Sequence, residues 1–339
     1  MTSFWHTVEV ILALFLLIGA GYLSGKKGIL DAEGRKKFSS LLMTFFLPAL
    51  ILSQILPAFS QEHAKNWWLL LVVSILNLLV GLFLGIFPAL LGGQKKDLRV
   101  SMASMAFVNS GYIPLSLLMI ISLGGHFSSP EGDIASNGAA MVALYLVVFS
   151  PLLWLIGYNL IACDSFKNFN WRKSLTVPGV TALFAIVCAL TPLKQLFLGH
   201  AAPLKFVFSA AKILGDAAAP CGLLLLGANL SHLSANTRIS WRFLSLFAVF
   251  KYLIAPLTGV AIVFLCKKLG LILTPLLALV IILEGAMPPG LNLIIICQST
   301  EKKLDFMSSL LFSCYLLAIP FIFLWLFLGQ KIATTLFSS

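Results

Sequence analysis

Apolar runs of about 20 residues, each long enough as a helix to cross a hydrocarbon core about 30 Å thick, recur along the whole chain between short stretches bearing Gly, Pro, Ser, Lys and Arg. Within a run the apolar positions are continuous, without the alternation that a lipid-facing β-barrel strand needs. The spanning elements are therefore predicted as helices, which satisfy their own backbone hydrogen bonds where no water reaches. Ten spans are predicted: Phe4–Ser24, Phe38–Leu56, Trp67–Leu91, Val100–Ser122, Ala139–Ile161, Val177–Leu193, Lys205–Leu230, Trp241–Cys266, Pro275–Cys297 and Phe306–Gly329.

Composition agrees with a multi-pass integral membrane protein. Of 339 residues, 60% are hydrophobic and 10% charged, against about 45–50% and about 25% in soluble domains. That balance excludes a water-soluble enzyme, a disordered chain, collagen and a disulfide scaffold. No Lys or Arg precedes the first run, and the run is too long for a signal-peptide core, so it is expected to stay in the mature protein. The six cysteines form no CxxC pair and read as small core hydrophobes.

A net charge of +11 would suggest nucleic acid in a soluble protein, but here the basic residues sit mostly in short loops, where they set topology. No nucleic-acid partner is expected. The loops after spans 1, 3, 5, 7 and 9 hold 15 Lys and Arg, led by Lys26, Lys27, Arg35, Lys36 and Lys37. The opposite side holds 6, namely Lys65, Lys194, Lys205, Lys267, Lys268 and Lys331. The positive-inside rule then places both termini outside the cytoplasm. Trp67, Trp68, Trp171, Trp241 and Tyr252 lie near predicted span ends and read as headgroup-level anchors.

Ten spans divide into five and five, and an odd number per half inserts the halves in opposite orientation. At an offset of 174, Trp67 falls on Trp241, Gly85 on Gly259, Gly111 on Gly285 and Pro114 on Pro288. The second span of each half carries a mid-span proline, Pro48 and Pro220, and the fourth span of each half is broken. The expected organisation is a five-helix repeat over 1–161, a short cytoplasmic linker over 162–176 and a second, inverted repeat over 177–339. Inverted repeats with broken helices near the midplane mark one class of secondary transporters.

The breaks are the first candidates for chemistry. Span 4 runs through Asn109-Ser110-Gly111-Tyr112-Ile113-Pro114, and span 9 through Glu284-Gly285-Ala286-Met287-Pro288-Pro289-Gly290-Leu291-Asn292. Proline lacks the amide proton and clashes with the preceding turn, so span 4 should open before Pro114 and span 9 before Pro289. The freed backbone groups must be buried in protein or line a polar cavity. Half-helices starting near Leu115 and Gly290 would present free amides and positive dipole ends, which suits a carboxylate. Asn109, Ser110, Pro114, Pro288, Pro289 and Asn292 are the candidate substrate-binding residues. The two asparagines can bind substrate, cap the opened backbone, or do both.

Charges inside spans are costly and point to function. Glu284 lies one turn before the proline pair, Asp216 near the middle of span 7, and Lys251 about ten residues into span 8. A midplane acid can carry a proton or hold sodium, and H+ or Na+ is the coupling ion this predicts; alternatively, an acid and Lys251 form a structural pair. No metal spacing, nucleophile elbow or phosphate-binding loop is present, so neither cofactor nor enzymatic activity is expected.

The motifs Gly21-Tyr22-Leu23-Ser24-Gly25-Lys26-Lys27-Gly28-Ile29-Leu30 and Phe46-Leu47-Pro48-Ala49-Leu50 resemble the auxin efflux carrier family. That family includes plant auxin carriers and bacterial malonate or malate carriers. Asn109 to Leu115, Gly215-Asp216 with Pro220 and Gly227-Ala228-Asn229-Leu230, Lys251-Tyr252 with Pro256 and Gly259, and Pro288 to Asn292 with Gln298 are closer to its PIN-likes branch. The resemblance covers essentially the whole chain. It implies a ten-helix fold in which spans 4 and 9 cross at the substrate site, Asn109 and Asn292 being the crossover asparagines. It also implies a scaffold of spans 1, 2, 6 and 7 and a transport unit of the remaining six.

The resulting expectation is a secondary transporter that moves a small organic anion, auxin-like or another carboxylate, by alternating access. Its expected partners are the carboxylate and the lipid bilayer; a homodimer is compatible with the sequence. The rival reading is a membrane sensor that keeps the transporter fold and binds ligand without translocating it.

Overall fold

The computed structural model describes residues 2–58, 68–124, 127, 132–162, 177–199, 202–232, 239–271, 273–300 and 302–337. The anchor residues Trp67 and Trp171, Cys163, the basic residues Lys65, Lys167, Arg172, Lys173 and Arg238, and linker residues 163–176 lie outside these. Among the described residues the chain is helical, with one isolated antiparallel bridge between Val108 and Pro289.

Helix α1 (Thr2–Lys26) covers the first apolar run. A π turn at Leu42–Phe46 joins α2 (Ala32–Leu41) to α3 (Leu47–Ala58), while α4 (Trp68–Leu84) continues past Gly85 into α5 (Ile86–Leu91). The fourth run is split into α6 (Leu98–Ala106) and α7 (Tyr112–Gly124). Another π turn at Leu153–Gly157 joins α8 (Ile134–Leu152) to α9 (Tyr158–Ala162). There follow α10 (Val177–Leu190), the short α11 (Lys194–Phe197), and α12 (Lys205–Asp216) with α13 (Ala218–Leu230). Helices α14 (Trp241–Val249) and α15 (Ala255–Lys268) join through a third π turn at Phe250–Ile254. The ninth run is split into α16 (Pro275–Ala286) and α17 (Asn292–Thr300), and α18 (Leu304–Phe337) closes the described chain.

Six of these rods are long and apolar enough to cross a membrane: Ala32–Pro57, Trp68–Leu91, Ile134–Ile161, Lys205–Leu230, Trp241–Lys268 and Leu304–Phe337. Several helix starts follow from the sequence. Thr274 caps α16, its hydroxyl accepting from the Leu277 amide at 3.1 Å, and Pro275 occupies the first helical position, where no amide is required. Ser240 caps α14 in the same way through the Phe243 amide, at 3.1 Å.

Two compact units form. The first comprises Met1–Leu71, Gly111–Val147 and Leu175–His232; the second comprises Val72–Ser110, Val148–Ser174 and Leu233–Ser339. In the first, α1 lies directly against α13: a Cβ on Gly21 would sit 2.1 Å from the Leu224 carbonyl oxygen, and one on Gly227 1.9 Å from that of Ile18. Two glycines thus let the backbones meet. Helix α7 packs on both of them, and α3 holds α10 and α12. In the second unit, α16 is the central rod, every one of its residues buried, with α15 and α18 packed on it.

The anchor reading needs one correction. Trp68 and Trp241 are exposed, consistent with a place at the headgroups, but Tyr252 is fully buried in the second unit. Its hydroxyl donates to the Cys314 carbonyl at 2.6 Å and its ring stacks on Phe321. A buried tyrosine needs such a partner, and α18 supplies it.

Candidate functional site

The two helix breaks meet within the second unit. Within that unit the first covers Phe107 to Ser110 and the second Met287 to Leu291. The Asn109 amide donates to the Pro288 carbonyl and the Gly290 amide to the Phe107 carbonyl, each at 2.8 Å. These bonds flank the facing pair Val108 and Pro289. Pro289 therefore sits at the one position of an antiparallel bridge where no amide is required. Gly290 permits the approach, since a Cβ there would lie 3.0 Å from the Val108 carbonyl oxygen. Backbone groups freed at membrane depth are in this way satisfied by protein.

Pro114 lies inside the first turn of α7 rather than at the break. That position has no intrahelical donor to lose, so the half-helix begins at Tyr112, upstream of the Leu115 neighbourhood that the proline suggested. The second half-helix begins at Asn292, two residues after Gly290, with both Pro288 and Pro289 in the extended segment.

Asn109 is buried, and its side-chain amide donates to the Tyr315 hydroxyl at 2.9 Å. It does not bond to the opened backbone, whose polar groups the bridge already serves. Tyr315 comes from α18, and the Trp325 indole one helix segment further on donates to the Tyr252 carbonyl at 2.6 Å. That carbonyl belongs to the π turn at Phe250–Ile254, a device that releases backbone groups from the regular ladder and recurs at functional sites.

Beside this network lie three buried polar side chains with little to hold them. Glu284, at the end of α16, is 1% exposed, and neither carboxyl oxygen has a hydrogen-bond partner. Ser110, in the first break, is 2% exposed, and its hydroxyl has no partner in bonding geometry although it faces the Glu284 carboxyl. Lys251, in the π turn, is 2% exposed and reaches only the Met105 carbonyl, at a long 3.5 Å. That carbonyl is in the last turn of α6, at the negative end of the helix. Glu284 and Lys251 lie close enough for their charges to interact. They do not close an ion pair: among the described residues those pairs are Glu33 with Lys37 and Asp97 with Lys303.

The remaining candidates are placed apart from this cluster. Asn292 begins α17 in the second unit and is half-buried, with no hydrogen bond from its side chain to a described residue. Pro114 belongs to the first unit. Asp216 ends α12, also in the first unit, and is exposed, as is Lys212 one turn before it. The structure therefore brings together Asn109, Ser110, Pro288, Pro289, Glu284 and Lys251, and leaves Asp216 out. It adds Tyr315, whose position mid-run in span 10 is a signal in itself, because a tyrosine at membrane depth must find a partner for its hydroxyl. Among the described residues no group of three His, Cys, Asp or Glu side chains could hold a metal ion.

Comparison with known proteins places the sequence in a family. The family described as "Membrane transport protein" matches residues 6–168 and 163–326. Protein PIN-LIKES 1 of Arabidopsis thaliana is 25% identical over 367 residues, covering 92% of this chain and 78% of that protein. Protein PIN-LIKES 3 of the same plant is 25% identical over 351 residues, covering 88% and 89%. An uncharacterized transporter of Saccharomyces cerevisiae is 28% identical over 164 residues, covering 48% of this chain and 25% of that one. A match across both halves of the sequence, on a chain of membrane-crossing helices, means that this protein belongs to the membrane transport protein family of the auxin efflux carriers.

Proposed function

We propose that the protein is a secondary transporter that carries a small organic anion, an auxin-like or other carboxylate, by alternating access, with the paired helix breaks as its binding site. The observation that carries this reading is the bridged crossover itself. Extended backbone sits at the middle of two apolar runs, and directly beside it a buried carboxyl and a buried hydroxyl face each other with no partner in bonding geometry. An unsatisfied buried polar group costs about 1–3 kcal/mol, so such groups persist where a transport cycle uses them.

Helix α17 begins directly after the second break, so its positive dipole end lies at the crossover and favours an anion. Glu284 takes the coupling ion, H+ or Na+. A carboxyl without hydrogen bonds can gain and lose a cation without breaking a network. In the same reading the chain crosses the membrane ten times as two inverted repeats, and access to the site alternates between the two sides as the cation is bound and released. Family membership supports transport, and the resemblance of the crossover motifs supports the carboxylate class.

Counterflow tests this directly. Proteoliposomes preloaded with unlabelled indole acetate or malate should accumulate the labelled acid, and empty vesicles or vesicles with Asn109→Ala protein should not. Saturable binding of an acid without counterflow would replace the transporter by a sensor on the same fold.

A further inference from the structure

A basic cavity lies at one end of the second unit, away from the crossover. A cavity of about 640 Å³ is lined there by Lys95, Lys96, Arg99, Lys302 and Lys303. Lys95 and Lys96 come from the turn between α5 and α6, Arg99 from the first turn of α6, and Lys302 and Lys303 from the turn between α17 and α18. Its remaining wall is apolar, formed by Leu98 and Val100 at the start of α6 and by Leu160 and Ile161 at the end of α9. Five cations thus surround a pocket whose wall consists of helix ends.

The arrangement is held rather than incidental. The Lys303 ammonium donates to Asp97 at 2.7 Å and to the Lys96 carbonyl at 3.3 Å, which ties the two basic turns to each other. Asp97 is buried, so the contact is a shielded one. Lys303 also adopts a left-handed backbone, with φ of 57°, a region that residues other than glycine seldom enter. Asp97, Glu301 and Asp305 are the acids in or next to these two turns, so the five bases leave a positive balance. The first turn of α6 adds the positive end of a helix to the same cavity.

A monocarboxylate needs one or two cations, whereas five around one cavity match an anion of several charges. Both basic turns fall on the side richer in Lys and Arg, at the level where apolar helix ends give way to water. We infer that this cavity binds a phosphate-bearing polyanion, its phosphates on the lysines and arginine and its less polar part against Leu98, Val100, Leu160 and Ile161. Basic pockets between membrane helices take lipid headgroups by this chemistry. A phosphorylated headgroup and a soluble polyphosphate share it.

The test uses the full chain in neutral-detergent micelles, with native mass spectrometry to count bound ligand and thermal unfolding as a second readout. One arm adds phosphatidylinositol bisphosphate and the other inositol hexakisphosphate. The wild type should bind in at least one arm, and Lys95→Gln/Lys96→Gln/Lys302→Gln should weaken binding at least about tenfold. Binding of the lipid alone identifies a headgroup, and equal binding of both identifies a soluble polyphosphate. Because mass spectrometry counts ligand directly, a variant of lowered stability still reports. A control, Lys26→Gln/Lys27→Gln/Lys36→Gln, removes equal charge from the first unit. The inference is overturned if neither probe binds, or if the control loses as much affinity as the pocket variant.

Discussion

The backbone amide of Asn109 donates to the carbonyl of Pro288 at 2.8 Å, while the Asn109 side chain turns away to the Tyr315 hydroxyl. The two functions that an asparagine at a helix break can serve are therefore separated. Main chain holds the crossover, and the side chain is left with one exchangeable bond.

That separation predicts how Asn109→Ala behaves. The bridge is made by backbone and survives, so stability should fall by only about 1 kcal/mol, the worth of one lost hydrogen bond. Counterflow should nevertheless disappear. Tyr315→Phe removes the same bond from the other side and should leave measurable transport. Thermal unfolding and counterflow on both variants check this; a large loss of stability in Asn109→Ala with substrate binding intact would make the side chain structural.

Gly290 offers a steric test of the bridge. A methyl group there would meet the Val108 carbonyl oxygen at 3.0 Å, and backbone cannot give way as a flexible side chain can. Gly290→Ala should push the breaks apart, cost about 1–3 kcal/mol, and lower the maximal transport rate. Gly93→Ala serves as a contrast, because its positive φ strains the variant with nothing nearby to displace. A Gly290→Ala protein with normal uptake would mean that the close approach is not needed for transport.

Much of this was legible in the sequence because hydropathy and proline act locally. Apolar runs located the helices, and the proline clusters located both breaks to within a few residues. What proline does not reveal is what the opened backbone pairs with. The Asn109–Tyr315 and Lys251–Met105 contacts join residues 206 and 146 positions apart, and no local pattern encodes them. Tyr252, read as lying near a span end, and Asp216, read as lying mid-span, mislead for a related reason. Position along a run does not tell which face of the helix a side chain occupies, so one proves buried and the other exposed.

The unequal basic count, 15 against 6, predicts a topology. Both termini should be accessible from outside the cytoplasm. Cysteines introduced at Thr2 and Ser339 should react with an impermeant maleimide in intact, correctly oriented vesicles without permeabilisation. Labelling of one terminus alone would require an odd number of spans and would dismantle the inverted-repeat proposal.

Glu284 carries the most exposed part of the transport proposal. Had it closed an ion pair with Lys251, removing one partner would leave a buried charge alone and cost about 3–5 kcal/mol. No such pair forms, and both carboxyl oxygens lack hydrogen bonds. Glu284→Gln should accordingly fold with stability within about 1 kcal/mol of the wild type. If the carboxyl takes the coupling ion, the amide mimics its neutral form. Exchange of substrate should then continue, but its dependence on pH or sodium should vanish. Adding Lys251→Met should recover little, since no closed ion pair was broken. Two results would end this reading: a Glu284→Gln protein whose uptake keeps the pH and sodium dependence of the wild type, or one that is unstable alone and rescued by Lys251→Met, which would restore the structural pair.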